Sequence, residues 1–411
     1  MPNNAFADSL ALLRTRRFGT FWFASLLSNV GTWAQQVAQP WLLLSLGASS
    51  FLLGLDSFAM GAPVVLLTLV GGFLADHADR RRVITLFQSI QALCPTLIVI
   101  LLLLGAVRPW MIIALSLIVG ITDALSMPSF QSIVPSIVER GQIPSGLALN
   151  STQFNLSRIL GPAVAGGLMA SIGALGAFAV SAASYLPFIL VALWVLPRAG
   201  APRHEVGAFD RHQLFVGVRK IAREPALRGA ILTVLTTSFL CAPLVTFCPV
   251  LVKDTFQGDV GHFSLTIGAF GLGGLLGAIG LLAVDPNRDR RPLSSSFALI
   301  YAAAVAVIAL NPWAWGLPAL FILAGVAMTV SNISANALLQ AMAPAAIRGQ
   351  SVSLFMLAMR GGVSIGSLLT GVSVSALGVR EALLINGALA LAAHVGIRSA
   401  WLTSSMSKPA D

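Results

Sequence analysis

What most constrains this chain is how often it stays apolar for longer than a soluble core can use. Mostly apolar runs occupy about 18–46, 52–74, 83–104, 109–137, 147–171 and 174–196. Beyond a polar stretch at 197–227, six more follow at about 229–252, 264–284, 293–310, 313–341, 351–376 and 382–403. A helix of about 20 apolar residues crosses the roughly 30 Å hydrocarbon layer of a bilayer, so each run is long enough for one span. Composition agrees, because 56% of the 411 residues are hydrophobic and only 10% are charged, against about 25% charged in a soluble domain. The pattern predicts an all-α membrane protein of twelve transmembrane helices, with the lipid bilayer as its main solvent. The first run follows ADSLALLRTRRFGT and exceeds a signal-peptide core, which predicts that it stays as the first span.

Basic residues are retained on the cytoplasmic side of a membrane. With the N-terminus inside, twenty of the 25 Lys and Arg fall in cytoplasmic segments, including Arg14, Arg16, Arg17, Arg80, Arg81, Arg82, Arg288, Arg290 and Arg291. Arg108, Lys253 and Arg380 fall outside, and Arg158 and Arg360 lie within apolar runs. Both termini are therefore expected in the cytoplasm. The formal charge of +10 reads as a topology signal and argues against nucleic acid, since the bases are divided among short loops with no face of stacking aromatics. Cys94, Cys241 and Cys248 all lie in apolar runs, which argues against a disulfide framework. No metal-ligand spacing, nucleotide motif or nucleophile–base set is present, so neither cofactor nor enzyme chemistry is expected. GAFGLGGLLG (Gly268 to Gly277) lies inside an apolar run, where glycines let helices approach.

An internal repeat is legible. Gln131 stands four residues before Pro135 and Gln340 four before Pro344, an offset of 209 in both pairs, each at the cytoplasmic end of a run. Arg158 and Arg360 each sit in a Gly-rich run farther on. The chain divides into a six-helix half over 1–196, a cytoplasmic linker over 197–227 and a second six-helix half over 228–411. Within the linker, Leu214, Phe215, Val218 and Ile221 fall on one side of an amphipathic stretch at about 211–224, with Arg219, Lys220 and Arg223 mostly on the other, as in a helix lying on the membrane surface.

Over essentially its whole length the sequence resembles the major facilitator superfamily. Gly72, Leu74, Ala75, Asp76, Arg80 and Arg81 match the superfamily's loop motif G-x-L-A-D-R-x-G-R-K/R, with His77 and Asp79 in place of an Arg and a Gly. RILGPAVAGG resembles the fifth-helix motif of the antiporter members through Gly161, Pro162 and Gly166, with Ser157 and Ala165 where glycines are usual. AAIRGQSVS, with VPSIVERGQIPSGLALNSTQFNLSRILGP, is similar to the branch of enterobactin-type siderophore exporters and macrolide or multidrug efflux proteins. The resemblance implies a monomeric secondary transporter of the inner (cytoplasmic) membrane, exporting a small amphiphilic compound by alternating access in exchange for protons. It also implies that Gly72, Asp76, Arg80 and Arg81, with Gly161 and Pro162, serve gating. In the superfamily the loop's charges hold the two halves together on the cytoplasmic side. That Arg80 to Arg82 merely fix topology is the competing reading, and Asp285, Arg290 and Arg291 are the second-half counterpart. A dedicated siderophore or natural-product exporter is the alternative, and a transport-dead membrane scaffold or sensor is the alternative of another class.

Ionisable groups inside a span are costly and are usually paired or functional. Asp56, Asp123, Arg158 and Arg360 lie well inside these runs. Burial disfavours an ionised carboxylate and a nearby guanidinium favours it, so Asp123 with Arg158 is the expected proton-coupling pair and Asp56 the next candidate. A fixed structural ion pair is the competing reading. The repeat places Asn332 where Asp123 stands in the first half, which makes Arg360 a candidate for an anionic substrate group, unless it snorkels or pairs with Asp285. Two polar stripes at single-face spacing, Asn29/Trp33/Gln36 and Asn332/Asn336/Gln340, are candidate substrate contacts. Hydrogen bonding between helices would explain them equally well.

Overall fold

The computed structural model describes residues 11–196, 219, 221, 223–285, 288–343 and 348–403. Nearly all of these are helical. The long helices are α1 (Arg16–Ser45), α2 (Ser50–His77), α3 (Arg80–Leu103), α4 (Pro109–Ile137), α5 (Ile143–Ser171) and α6 (Ala174–Trp194). After the linker come a run of short helical pieces from Pro225 to Thr255, here α7, then α8 (Val260–Leu282), α9 (Arg290–Leu310), α10 (Leu317–Met342), α11 (Arg348–Leu377) and α12 (Val379–Thr403). Most of the amphipathic stretch expected at 211–224 lies outside the described residues.

Ten of these helices are long and apolar enough to cross a membrane. The other two, α1 and α5, have 30 and 29 residues but are too polar for the same criterion. The reason is local: α1 carries Ser25, Ser28, Asn29, Thr32, Gln35, Gln36 and Gln39, and α5 carries Asn150, Thr152, Gln153, Asn155, Ser157 and Arg158. Several of these are buried against protein, including Ser25, Ser28, Gln35, Gln39, Gln153 and Ser157.

The chain forms two compact units, residues 1–46 with 62–206, and residues 47–61 with 207–411. In the first, α1 packs on α5 and α6. One end of this unit is a hydrophobic cluster in which Phe21, Phe130 and Phe188 bring α1, α4 and α6 together, with ring centroids 5.4 to 6.0 Å apart. Aromatic clusters of this kind bury much apolar area in fixed geometry.

In the second unit α7 is irregular for identifiable reasons. Its pieces are Pro225–Thr236, a π-helical turn at Thr237–Cys241, Pro243–Thr246, Cys248–Val250 and a second π-helical turn at Leu251–Thr255. Pro243 and Pro249 lack an N–H and their rings crowd the preceding turn, so the ladder widens around them, as in the bond from Ala242 N–H to the Thr237 carbonyl at 3.0 Å. Two buried side chains meet this widened turn. Tyr301 of α9 donates its hydroxyl to the Cys241 carbonyl at 3.2 Å, and His394 of α12 lies 3.2 Å from Thr237 Oγ1. Segment 47–61 packs on α11, with Gly54 against the Ser367 backbone and the Phe51 N–H on Ser375 Oγ at 3.1 Å.

Tyr301→Phe removes the side-chain donor to a carbonyl held away from water, a loss of about 1–2 kcal/mol. Thermal unfolding of the purified variant in detergent is expected to show a lower Tm, and an unchanged Tm would mean that the π turn needs no such support.

Candidate functional site

Within the first unit, two contacts to α4 set a depth scale along α1. Gln39 Nε2 donates to Ser116 Oγ of α4 at 2.7 Å, and nearer the other end Phe21 meets Phe130. Asp123 is midway between Ser116 and Phe130, and Val30 is midway between Gln39 and Phe21. By this interpolation Asp123 is at the depth of the α1 turn Ser28–Thr32. On the other flank Trp22 Nε1 donates to the Leu149 carbonyl at 2.8 Å, and Gly161 packs on Trp33. These two contacts bring Arg158 of α5 to the same level. Asp123 and Arg158 are both partly buried.

Local sequence breaks the helical ladder beside both groups. Pro162 cannot donate to the Arg158 carbonyl and Pro128 cannot donate to that of Ala124, so both helices are interrupted beside their charged residue. Gly161 has to be glycine, since a Cβ there would lie 2.2 Å from Trp33 Cβ. Phe154, one turn before Arg158, stacks edge-on to Trp33 at 6.2 Å. Asn29, Trp33 and Gln36 are each half-buried.

A second α1 face, not singled out by the sequence reading, is the better satisfied one. Ser181 Oγ of α6 donates to Gln35 Oε1 at 2.8 Å, Gln35 Nε2 reaches Gln39 Oε1 at 3.4 Å, and Gln39 continues to Ser116. Thr32 Oγ1 lies 3.0 Å from the hydroxyl of Tyr185, which is 3% exposed and within electrostatic range of Asp123. Thr32, Gln35 and Gln39 share the i, i+3, i+7 spacing of one face, and that period was visible in the sequence. Tyr185 gave no signal there, being an aromatic in an apolar helix.

Other expected site residues fall elsewhere. Asp56 is buried, 5% exposed, in the 47–61 segment that belongs to the second unit. In that unit Asn332 is 7% exposed with a buried Oδ1 that has no hydrogen-bond partner among the described residues, whereas Asn336 Oδ1 accepts from Gln340 Nε2 at 3.2 Å. Arg360 is half-buried on α11, where its carbonyl accepts from Ser364 Oγ at 2.9 Å. A cavity of about 280 Å³ in this unit is lined by Asp254, Arg380 and Glu381 among others. Arg380 is partly committed there, donating to the Asn311 carbonyl at 2.6 Å and covering the Phe256 ring at 5.3 Å.

The gating loop has a local role of its own. Asp79 caps α3 by accepting from the Arg81 N–H at 3.0 Å, and Arg80 Nε donates to the Ala75 carbonyl in the last turns of α2 at 3.1 Å. Asp289 repeats the device at α9, accepting from the Arg291 N–H at 2.9 Å. Asp-Arg-Arg thus recurs at an offset of 210, as an N-cap in both units. Gly71, not the motif's Gly72, makes the close approach, since a Cβ on it would lie 2.3 Å from the Ala124 carbonyl oxygen. A Cβ at Gly72 would meet nothing within 4 Å among the described residues. The side chain of Asp76 lies outside those described.

Burial opposes ionisation of Asp289, but hydrogen bonds from the Arg291 side chain and backbone, with the Arg291 charge, outweigh it and hold the carboxyl below its usual range. A carboxyl depressed in this way contributes stability that is present above the unfolded value of about 3.9 and lost as pH falls through the folded one. Acidification below about pH 4 is therefore expected to lower the Tm of the unaltered protein more than that of Asp289→Asn, which keeps a capping side chain without the charge. Equal drops would remove this pair from the account.

The family model described as transmembrane secretion effector matches residues 7–407. The multidrug efflux pump Tap of Mycolicibacterium fortuitum is 25% identical over 374 residues, 88% of this chain and 90% of Tap. The staphyloferrin A transporter of Staphylococcus aureus is 24% identical over 260 residues, 63% of this chain and 65% of that protein. The crystal structure of the nucleoside transporter NupG superimposes with a TM-score of 0.74 at 12% identity, covering 94% of this chain and 99% of NupG; likeness at that identity speaks for the fold alone. The chain belongs to the transmembrane secretion effector family of the major facilitator superfamily.

Proposed function

We propose that this protein is a proton-coupled exporter of amphiphilic organic compounds, with twelve spans, both termini in the cytoplasm, and a monomer as the working unit in the inner membrane. The observation that carries this reading is the helix register that puts Asp123 of α4 and Arg158 of α5 at the depth of the same turn of α1. Charge at that depth is costly, and an exchangeable proton gives it a use. A relative named as a multidrug efflux pump, beside one named as a staphyloferrin A transporter, supports export from the cytoplasm. The family and its structural neighbours are transporters rather than enzymes.

Coupling in this reading is a competition. Protonation of Asp123 favours one orientation of the transporter, and bound substrate favours the other. A ligand shifts a conformational equilibrium only through its differential affinity for the two states, so proton and compound must act on linked groups. Asn29, Trp33 and Gln36 on α1 and Asn332, Asn336 and Arg360 in the second unit are the substrate contacts. Half-buried aromatic and amide groups suit an amphiphile, with Arg360 favouring an anionic one. Asp56 is the reserve proton site. Gly72, Asp76, Arg80 and Arg81 form the cytoplasmic latch, with Gly161 and Pro162 as the mobile point of α5. The staphyloferrin A transporter among the relatives favours, as a second reading, a dedicated siderophore exporter using the same residues.

In proteoliposomes, Asp123→Asn is expected to abolish export driven by a pH gradient while retaining substrate binding. Normal gradient-driven export would transfer the role to Asp56, and loss of folded protein would favour the structural ion pair. Asp76→Asn is expected to raise thiol labelling of engineered cysteines from the cytoplasmic side with insertion intact. Unchanged labelling would remove Asp76 as a latch.

A further inference from the structure

Arg398 of α12 and Ser296 of α9 together hold hydrogen-bond donors that no acid of the second unit takes up. Arg398 donates to Ser296 Oγ at 2.8 Å, which leaves most N–H donors of its guanidinium unspent. It forms no ion pair among the described residues. Ser296 is the acceptor in that bond, so its own O–H is unspent as well. At the start of α9, Arg288, Arg290 and Arg291 outnumber Asp289, whose carboxylate is already engaged by Arg291. A half-buried guanidinium and a hydroxyl, in a region of surplus positive charge, are the complement of an anion.

The place of this pair says which anion. The two helices run antiparallel, tied by the Arg398–Ser296 bond near one end and, farther along, by Gly387, where a Cβ would lie 2.8 Å from the Ala306 nitrogen. Arg398 is within a turn of Trp401, where the apolar span of α12 ends, and Ser296 is within two turns of Arg290, where that of α9 begins. The pair therefore sits at the edge of the apolar layer. One turn deeper the exposed side chains are aliphatic, Val395 on α12 at 58% and Ile300 on α9 at 37%. Gly396 leaves the surface beside them open, since a Cβ there would meet nothing within 4 Å among the described residues. We propose that Arg398 and Ser296 bind the phosphate of an anionic phospholipid, with an acyl chain lying on Val395 and Ile300. Guanidinium and phosphate match as a forked, charge-assisted pair, and basic pockets between transmembrane helices take anionic headgroups. A soluble phosphoester would make no use of the aliphatic surface, and a choline headgroup would bring a second positive charge to a start of α9 already rich in arginine. The leaflet is the inner one if both termini are cytoplasmic, as in the proposed function; the site itself does not depend on that reading.

Native mass spectrometry of the full-length protein, delipidated in detergent and titrated with phosphatidylglycerol, tests this. The unaltered protein is expected to bind a first phosphatidylglycerol more tightly than phosphatidylcholine. Arg398→Gln, which removes the charge, is expected to weaken that first binding about fivefold. Arg82→Gln removes an equal charge from a side chain that is 88% exposed in the first unit, and is expected to leave it unchanged. Glycerol phosphate at the same concentration is expected not to displace the lipid. Equal binding of the two lipids, or equal weakening by Arg82→Gln, would overturn the proposal by showing diffuse attraction to headgroups. Displacement by glycerol phosphate would overturn it in favour of a site for a soluble phosphoester. If Arg398→Gln does not fold, Ser296→Ala decides, since it removes the group that holds the guanidinium and adds a donor, and binding unchanged by it would count against the site. Lipid binding in detergent is read without transport, so its failure and the failure of the exporter reading are distinguishable.

Discussion

A polar side chain facing hydrocarbon has to find its partner inside the protein, and in this chain α1 is where that requirement is concentrated. Lipid offers no hydrogen bonds, and each unsatisfied group costs several kcal/mol. Gln35, Gln39, Ser116 and Ser181 answer the requirement together, as one buried chain across α6, α1 and α4. That chain holds α4 in register against α1, and the register is what carries Asp123 to the turn of Thr32. On the opposite flank Trp22 and Gly161 set α5 against α1 and carry Arg158 to the same depth. The position of the charged groups is thus a consequence of neutral hydrogen bonds and of one glycine.

The second unit solves a different problem by related means. Prolines in α7 open the helical ladder, and side chains from α9 and α12 occupy the widened turn. Ser294 and Ser331 exchange hydrogen bonds between side chain and carbonyl at 3.1 and 3.0 Å, tying α9 to α10. The Asp-Arg-Arg caps of α3 and α9 are a feature the two units share in detail. The positions of Asp123 and Asn332 differ in chemistry, so a proton site in the first unit would have an amide as its counterpart.

Much of this was legible in the sequence because membrane helices announce themselves through length and composition. Apolar runs located the helices, and their ends agree with the observed ones to within several residues at most boundaries. The runs now seen as α1 and α5 count as spans by length but not by hydropathy, because they carry many polar residues, several of which, such as Gln35, Gln39, Gln153 and Ser157, are buried against protein. The stripe Asn29/Trp33/Gln36 was found by its period, yet the face beside it, Thr32/Gln35/Gln39, carries the stronger bonds. Periodicity reveals that a face is polar and not which neighbour it meets. Tyr185 and Tyr301 were invisible for a related reason, since one hydroxyl on an apolar helix has no pattern. Asp79 was read as a departure from a motif, whereas its position just before an Arg-rich helix start makes it a cap. The difference between Gly71 and Gly72 depends on which side of α2 faces α4, and that is decided by packing.

The central claim is that Asp123 exchanges a proton in competition with substrate. The most direct measurement is proton release from the purified protein in weakly buffered detergent solution. The probe would be the compound, from a panel of drugs and siderophores, that most raises its Tm. The account predicts that binding releases protons from the unaltered protein and none from Asp123→Asn. Equal release from both proteins, or binding without release from the unaltered one, would contradict it.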